Sequence, residues 1–466
     1  MFHYLCFSLS KILSFNNCVL TTQVRKVFLC TFSFCIVKDI TYKSRVFHFI
    51  SFIFNTVSKM MIVKKIWKKV THTNALDQAS GELEMAFFED VYRVFPFTGL
   101  STTDRTVLYM IYSAIVKLLI GMLMCGEVWY TYSQPLSLDE FVACVNVILI
   151  QINTLYKVKN MVNLYQKLAK SMETSYFDMT TRKRRQLVKY WAKTHERYVK
   201  LLLGLGNCTL AAWHLYPLVD ELEFNLMIGV RLPFRFDTPL CYVLTYLIVG
   251  VAFIYTSHFV MVTDLVMQAH LVPLICQLSV LADCFENIVH DCNARRSDLT
   301  LNNDFIKEYL RRLGNLVEQH KLILSYSMEF KVILSRPMLG QLAASGTLIC
   351  CVGYQATTTI VENITKCMMS LFYLGYNMFG LYIICRWCEE ITNQSLHVGE
   401  AIYCSGWETG IAVLPGVRST MLLVIARANK PLVFTAGGMY NLSLQSFTTL
   451  VKTSYSALTV LLRFRH

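Results

Sequence analysis

The stretch from Val417 to Leu462 reads VRSTMLLVIARANKPLVFTAGGMYNLSLQSFTTLVKTSYSALTVLL. Its first part is an amphipathic run that ends in Ala426-Arg427-Ala428-Asn429-Lys430-Pro431. Pro431 lacks a backbone N–H and cannot continue a helical ladder without strain. Gly437-Gly438 follows, a pair that lets the chain turn back sharply because glycine carries no Cβ. From Gly438 to Leu462 runs a second apolar segment of about 25 residues, roughly one bilayer span. The chain therefore closes with a broken helix: a short amphipathic half, a turn, and a membrane-length half.

The rest of the chain agrees with a membrane setting. Apolar residues make up 54% of the 466 and 29 residues are Phe, too many for one soluble core of this length. Charged residues are 16%, against about 25% in soluble globular chains. The net charge of +13 is spread as cytosolic flanks are: Lys and Arg concentrate before residue 106 and between Lys157 and Lys200, while Thr131–Leu138 has none. That pattern argues against nucleic acid, which calls for a soluble fold displaying a basic face.

Seven spans are expected: Val107–Tyr130, Leu138–Val158, Val199–Val219, Leu240–Val266, Pro337–Thr358, Met368–Cys388, and the split seventh. The fold class is thus an all-α membrane protein with seven transmembrane helices. Its basic N-terminal region and the Thr181-Arg182-Lys183-Arg184-Arg185 cluster belong inside, which puts the N-terminus in the cytosol and His466 outside. Of four Asn-x-Ser/Thr sequons, at Asn207, Asn363, Asn393 and Asn441, only Asn363 falls in an outer loop and is open to glycosylation. Tyr156–Lys200 and Met267–Glu329 carry apolar residues at helical spacing interleaved with charge, as in Ile306, Leu310, Leu313 and Val317 beside Glu308, Arg311, Arg312 and Glu318. They read as cytosolic extensions of the spans, with membrane-surface helices as the alternative.

Catalytic patterns are missing: no GxSxG, HExxH, GxxxxGK[ST] or GxGxxG occurs, and no cofactor is called for. The 17 cysteines are scattered, and Cys385-Arg386-Trp387-Cys388, the one CxxC, has no second pair with which to hold zinc; no metal site is expected. Glu196-Arg197-Tyr198 resembles a triplet of G-protein-coupled receptors, but it precedes the third span and no NPxxY accompanies it. An inverted repeat, as in transporters, is not apparent.

Further upstream the pattern Ser395-x-x-Val398-x-x-Ala401-x-Tyr403-x-x-x-Trp407 leads into the broken helix. Together these segments resemble the insect odorant receptor family. Gustatory receptors are its nearest relatives, and the Thr453-Ser454-Tyr455 and Leu461-Leu462-Arg463 endings favour the odorant branch. The family's obligate co-receptor resembles the chain less, because its segment between the fourth and fifth spans is longer and its last helix differs at Lys452–Ser456. The resemblance implies a ligand-tuning subunit of an odorant-gated, non-selective cation channel, working with the odorant receptor co-receptor as a tetramer around a central pore. It also implies a start near Met60-Met61, so residues 1–60 read as an atypical extension or a mis-placed start.

The domain map that follows is 61–106 cytosolic, 107–266 the first four spans, 267–336 amphipathic anchor helices, 337–388 the fifth and sixth spans, 389–437 anchor, and 438–462 the pore-lining half helix. Gln445, Thr449, Lys452 or Thr453, and Ser456 share one helix face, which turns apolar at Val460 and Phe464. Polar groups facing lipid are costly, so this face suits a pore, gated where the apolar ring can dewet. The alternative is that the hydroxyls bond back to their own helix. The odorant pocket is expected in the outer half of the bundle, where aromatic contact recognises small apolar volatiles. Its candidates are Phe141 and Val145 on the second span, and Ala212, Trp213 and Tyr216 on the third. The fourth adds Tyr242 and Tyr246, the sixth Tyr373 and Tyr376.

Overall fold

The computed structural model describes residues 82–99, 106–133, 148, 151–152, 177–219, 226–234, 238–293, 303–359, 364–408 and 411–464. All belong to one compact unit, Thr73–His466. The extension 1–60, most of the second span including Phe141 and Val145, and the sequon at Asn363 lie outside the described residues.

The described chain is built almost wholly of helices. They are α1 (Glu82–Val94), α2 (Val107–Ser133), α3 (Arg182–Val219), α4 (Pro239–Glu286), α5 (Ile288–Asn293), α6 (Asn303–Thr359), α7 (Ile364–Tyr403), α8 (Val417–Ala428) and α9 (Leu444–Phe464). A two-stranded hairpin, β1 (Thr435–Ala436) and β2 (Tyr440–Asn441), joins α8 to α9. Three of the described helices, α2, α4 and α7, hold stretches long and apolar enough to cross a membrane.

Exposure divides α2 around its circumference and α4 also along its length. On α2, Val107, Leu108, Met110, Ile111, Ile115, Leu118 and Met122 are exposed, while Val116, Ile120, Leu123 and Glu127 are buried at helical spacing. The N-terminal half of α4 shows the same pattern, with Leu240, Val243, Leu244, Leu247, Ile248 and Val251 bare. Contiguous apolar stripes of this size are untenable in water and suit a lipid face. From Met261 to Phe285, by contrast, every residue of α4 is buried. At 48 residues α4 runs about 72 Å, far beyond the roughly 30 Å hydrocarbon core. The helix is therefore longer than one crossing needs, and α6 likewise opens with the amphipathic run from Asn303 before its apolar part.

The core lies where α3, α4, α6 and α7 pack together. Trp387 on α7 is fully buried, with its ring 4.9 Å from Tyr198 and 6.4 Å from Trp191, both on α3. Tyr198, from the receptor-like triplet, is thus half-buried against the core. Cys385 and Cys388 are buried free thiols on the same helix. Outside the spans an ion cluster ties four segments. Arg184 on α3 has a wholly buried side chain and meets Asp283 of α4 at 2.9 Å, Asp291 of α5 at 2.5 Å and Asp178 at 2.8 Å. Arg312 of α6 shares Asp291 at 3.0 Å, and Lys183 holds the second oxygen of Asp283 at 2.7 Å. Part of the basic cluster is therefore a buried structural node.

Helix α9 lies against α6, where small residues allow close approach. A Cβ on Gly346 would meet Leu450 at 3.2 Å, and one on Gly353 would meet Leu458 at 2.9 Å. Gly437 and Gly438 take positive φ, and the Gly437 N–H donates to the Ser335 carbonyl of α6 at 2.8 Å. The Leu444 N–H, in the first turn of α9, donates to Glu389 Oε2 of α7 at 2.7 Å, a carboxylate placed at the positive end of a helix dipole.

Candidate functional site

A cavity of about 80 Å³ lies among α3, α4 and α7. Each helix contributes one face at steps of three and four: Gly206, Thr209, Leu210 and Trp213 from α3, then Phe253, Thr256, Ser257, Val260 and Met261 from α4. Tyr373, Tyr376 and Asn377 come from α7, and Gln151 completes the wall. Trp213 anchors an aromatic cage, with its ring 5.3 Å from Phe253 and 5.8 Å, edge-on, from Tyr373. Gly206 keeps the cavity open, since a Cβ there would meet Met261 at 2.8 Å and Tyr376 at 3.1 Å.

Most polar groups of the wall are already engaged. Thr209 Oγ1 bonds to the Leu205 carbonyl at 2.9 Å and lies 3.1 Å from that of Phe372, linking α3 to α7. Thr256 donates to Ala252 O at 3.0 Å, and Asn377 Nδ2 donates to Tyr373 O at 2.9 Å. The Tyr376 hydroxyl donates to Asp264 Oδ2 at 3.1 Å. The surface left for a ligand is mainly aromatic and aliphatic, which favours small, weakly polar molecules.

Three of the expected pocket residues, Trp213, Tyr373 and Tyr376, come together in this wall. Ala212 and Tyr216 sit on α3 next to it without lining it. Tyr246 and Tyr242 lie about two and three turns from Phe253 toward the N-terminus of α4, their rings 6.0 Å apart, and the Tyr246 hydroxyl donates to His214 O at 2.6 Å. Phe253, Thr256, Ser257, Val260, Met261, Gly206, Thr209, Leu210, Asn377 and Gln151 escaped the sequence reading. Their signal was the helical spacing, which aromatic content alone does not reveal.

The expected pore face is exposed on the single chain: Gln445, Thr449, Lys452, Thr453, Ser456 and Val460 point away from α6, while Phe447 and Ser454 are buried. The helix ends at Phe464. The hydroxyls of Thr449, Thr453 and Ser456 donate to the carbonyls of Gln445, Thr449 and Lys452, each at 3.0 Å. The exposed stripe and the internal hydroxyl bonds thus occur together. Lys452 has no such internal solution for its charge, so it marks this face as one that meets water or protein.

Outside the spans, burial shapes the titrating groups. His195 on α3 and His320 on α6 have pKa values lowered to about 4, chiefly by burial, with the Arg427 charge adding to the effect at His320. At Asp178 burial opposes ionisation, yet hydrogen bonds from Thr180 and the charges of Arg184 and Arg312 hold its carboxyl below the usual range. Among the described residues no His, Cys, Asp and Glu gather into a metal-binding group.

The 7tm Odorant receptor family model matches residues 137–455, more than half of the chain. Odorant receptor 13a of Drosophila melanogaster is 28% identical over 160 residues, 33% of this chain and 38% of that protein. The match thus spans about two fifths of that relative's length. Putative odorant receptor 59c of the same species is 22% identical over 430 residues, 85% of this chain and 94% of that one. The solved insect olfactory receptor OR5 from Machilis hrabei, in complex with eugenol, superposes with a TM-score of 0.68. That alignment covers 82% of this chain and 99% of OR5 at 16% identity, a likeness of fold. The apolar helices and the family match make the protein a multi-pass membrane protein of a receptor, rather than enzyme, family.

Proposed function

Because the chain belongs to the 7tm Odorant receptor family, we propose that it is the ligand-tuning subunit of an odorant-gated, non-selective cation channel. Volatile small molecules bind in the cavity around Trp213, Tyr373 and Tyr376. The subunit works with the odorant receptor co-receptor as a tetramer in the plasma membrane, with its N-terminus in the cytosol. Seven helices cross the bilayer, and the α9 face from Gln445 to Val460 and Phe464 lines the pore. Asn363 is the sequon open to glycosylation.

The observation that carries this reading is the aromatic cavity enclosed by α3, α4 and α7 within a bundle whose outer faces are apolar. Such a site takes ligands that partition into an apolar environment and are recognised by shape. The exposed polar stripe on α9 adds support, because a lone subunit leaves it without a partner.

Co-expression with and without the co-receptor, with currents recorded against an odour panel, tests the proposal. Odour-dependent cation current is expected only from the pair. Current from the chain alone, or silence of surface-expressed pairs to the whole panel, overturns it.

A further inference from the structure

Two buried side chains beside the cavity are unaccounted for by aromatic packing. Gln151 lines the cavity and is 4% exposed; Glu127, on α2, is 3% exposed. The Gln151 amide points Nε2 at Glu127 Oε1, 3.4 Å away. This orientation leaves the Gln151 carbonyl oxygen as the free end of the amide. Among the described residues, neither Gln151 Oε1 nor Glu127 Oε2 has a hydrogen-bond partner, although both atoms are buried. Three other polar groups of the wall have partners: Thr209 and Thr256 bond to backbone carbonyls, and the Tyr376 hydroxyl is given to Asp264.

An unpaired acceptor in a buried site discriminates. A site built to hydrogen-bond a hydroxyl penalises the analogue that lacks it, because the site's own polar atom is then left bare. We propose that the cavity selects small neutral volatiles bearing a hydroxyl, with the Gln151 carbonyl oxygen accepting the hydrogen bond and Glu127 holding the amide in that orientation. The inference rests on the proposed role of the cavity as the ligand site. The ring cage of Trp213, Phe253 and Tyr373 takes the apolar part of the molecule. At about 80 Å³ the space suits short chains, since a cavity of about 150 Å³ accepts benzene. A ligand hydroxyl replaces the bond lost when water leaves the oxygen, and an ether does not.

The test uses the full chain with its co-receptor and isomeric probes of equal formula small enough for the cavity: short straight-chain alcohols against methyl ethers, such as propanol against ethyl methyl ether. Wild type is expected to respond to the alcohol at a concentration lower by roughly tenfold or more. Gln151→Leu and Gln151→Met should bring the two isomers within about twofold of one another while leaving the ether response in place. Gln151→Glu, which keeps an acceptor oxygen, should retain a preference for the alcohol. Equal responses in wild type, or a preference that survives both apolar substitutions, overturn the inference and leave ligand gating standing. Silence of surface-expressed wild type to both isomers also overturns it, and reaches the ligand-gating proposal only when the wider odour panel is silent too.

Discussion

The Tyr376 hydroxyl on α7 donates to Asp264 Oδ2 on α4 at 3.1 Å, one turn inward of the cavity residue Met261. A cavity wall and an intramembrane carboxyl are thus joined by one hydrogen bond. Removing it deprives a buried carboxyl group of a donor, worth about 1–3 kcal/mol. Tyr376→Phe is expected to shift the half-maximal odour concentration by about 5–150-fold, with currents from a co-receptor agonist intact. Unchanged dose–response curves would show that the bond is not coupled to ligand occupancy.

Gly206 sets the cavity's size. Its substitution by Ala drives a Cβ toward the Met261 side chain at 2.8 Å, and the flexible thioether yields into the cavity. Gly206→Ala should therefore weaken responses to the largest effective odorants while sparing the smallest. A uniform loss across sizes, with surface level preserved, would count against a steric role.

Arg184 holds three carboxylates in a buried node. Arg184→Ala leaves Asp283 and Asp291 buried without that partner, a loss of about 3–5 kcal/mol for a broken buried pair. Surface expression should fall sharply, whereas Arg185→Ala, at an exposed site, should leave it near wild type. Equal expression of the two variants would show that the node contributes little.

Acid should unfold the protein in a defined window. His195 and His320 titrate near 4 when folded and near 6.5 when unfolded, so the unfolded chain binds more protons between those values. Their contribution is complete above about pH 6.5 and falls away toward pH 4. The depressed Asp178 carboxyl extends the loss further as pH falls. Thermal melts of purified protein in nanodiscs should be flat above about pH 7 and decline below it. His320→Gln should flatten the slope, and a slope equal to wild type would remove His320 from the account.

Cysteine substitution along α9 examines the pore face. Water-soluble thiol reagents should modify positions 445, 449, 456 and 460 and spare Leu450 and Leu458, which meet Gly346 and Gly353 of α6. Val460→Ser should raise the unstimulated current by easing wetting of the constriction. Modification without helical periodicity would take α9 out of the pore.

How much of this was visible beforehand varies with the range of the interaction. Lipid-facing helices announce themselves through local composition, and the split before α9 through Pro431 and Gly437-Gly438. The faces of α9 follow from spacing within one helix. The cavity is harder, because Tyr242 and Tyr246 advertise themselves as aromatics although the wall lies two turns deeper, at Phe253, Thr256 and Val260. In a helix that is apolar nearly throughout, period alone does not say which depth faces a gap. The Arg184 node is harder still: its partners Asp283 and Asp291 lie 99 and 107 positions away, and nothing local to Arg184 separates it from the solvated lysines and arginines beside it.

One helix, α7, both lines the cavity at Tyr373, Tyr376 and Asn377 and presents Glu389 to the first turn of α9. Thirteen residues of continuous helix, about 20 Å, separate Tyr376 from Glu389. The connection has no slack. A tilt of α7 by a few degrees when the cavity fills is delivered at the far end as a displacement on the order of an ångström, about the tolerance of a hydrogen bond. The molecule can therefore work as a push-rod, with ligand size read as displacement and a single carboxylate as the joint.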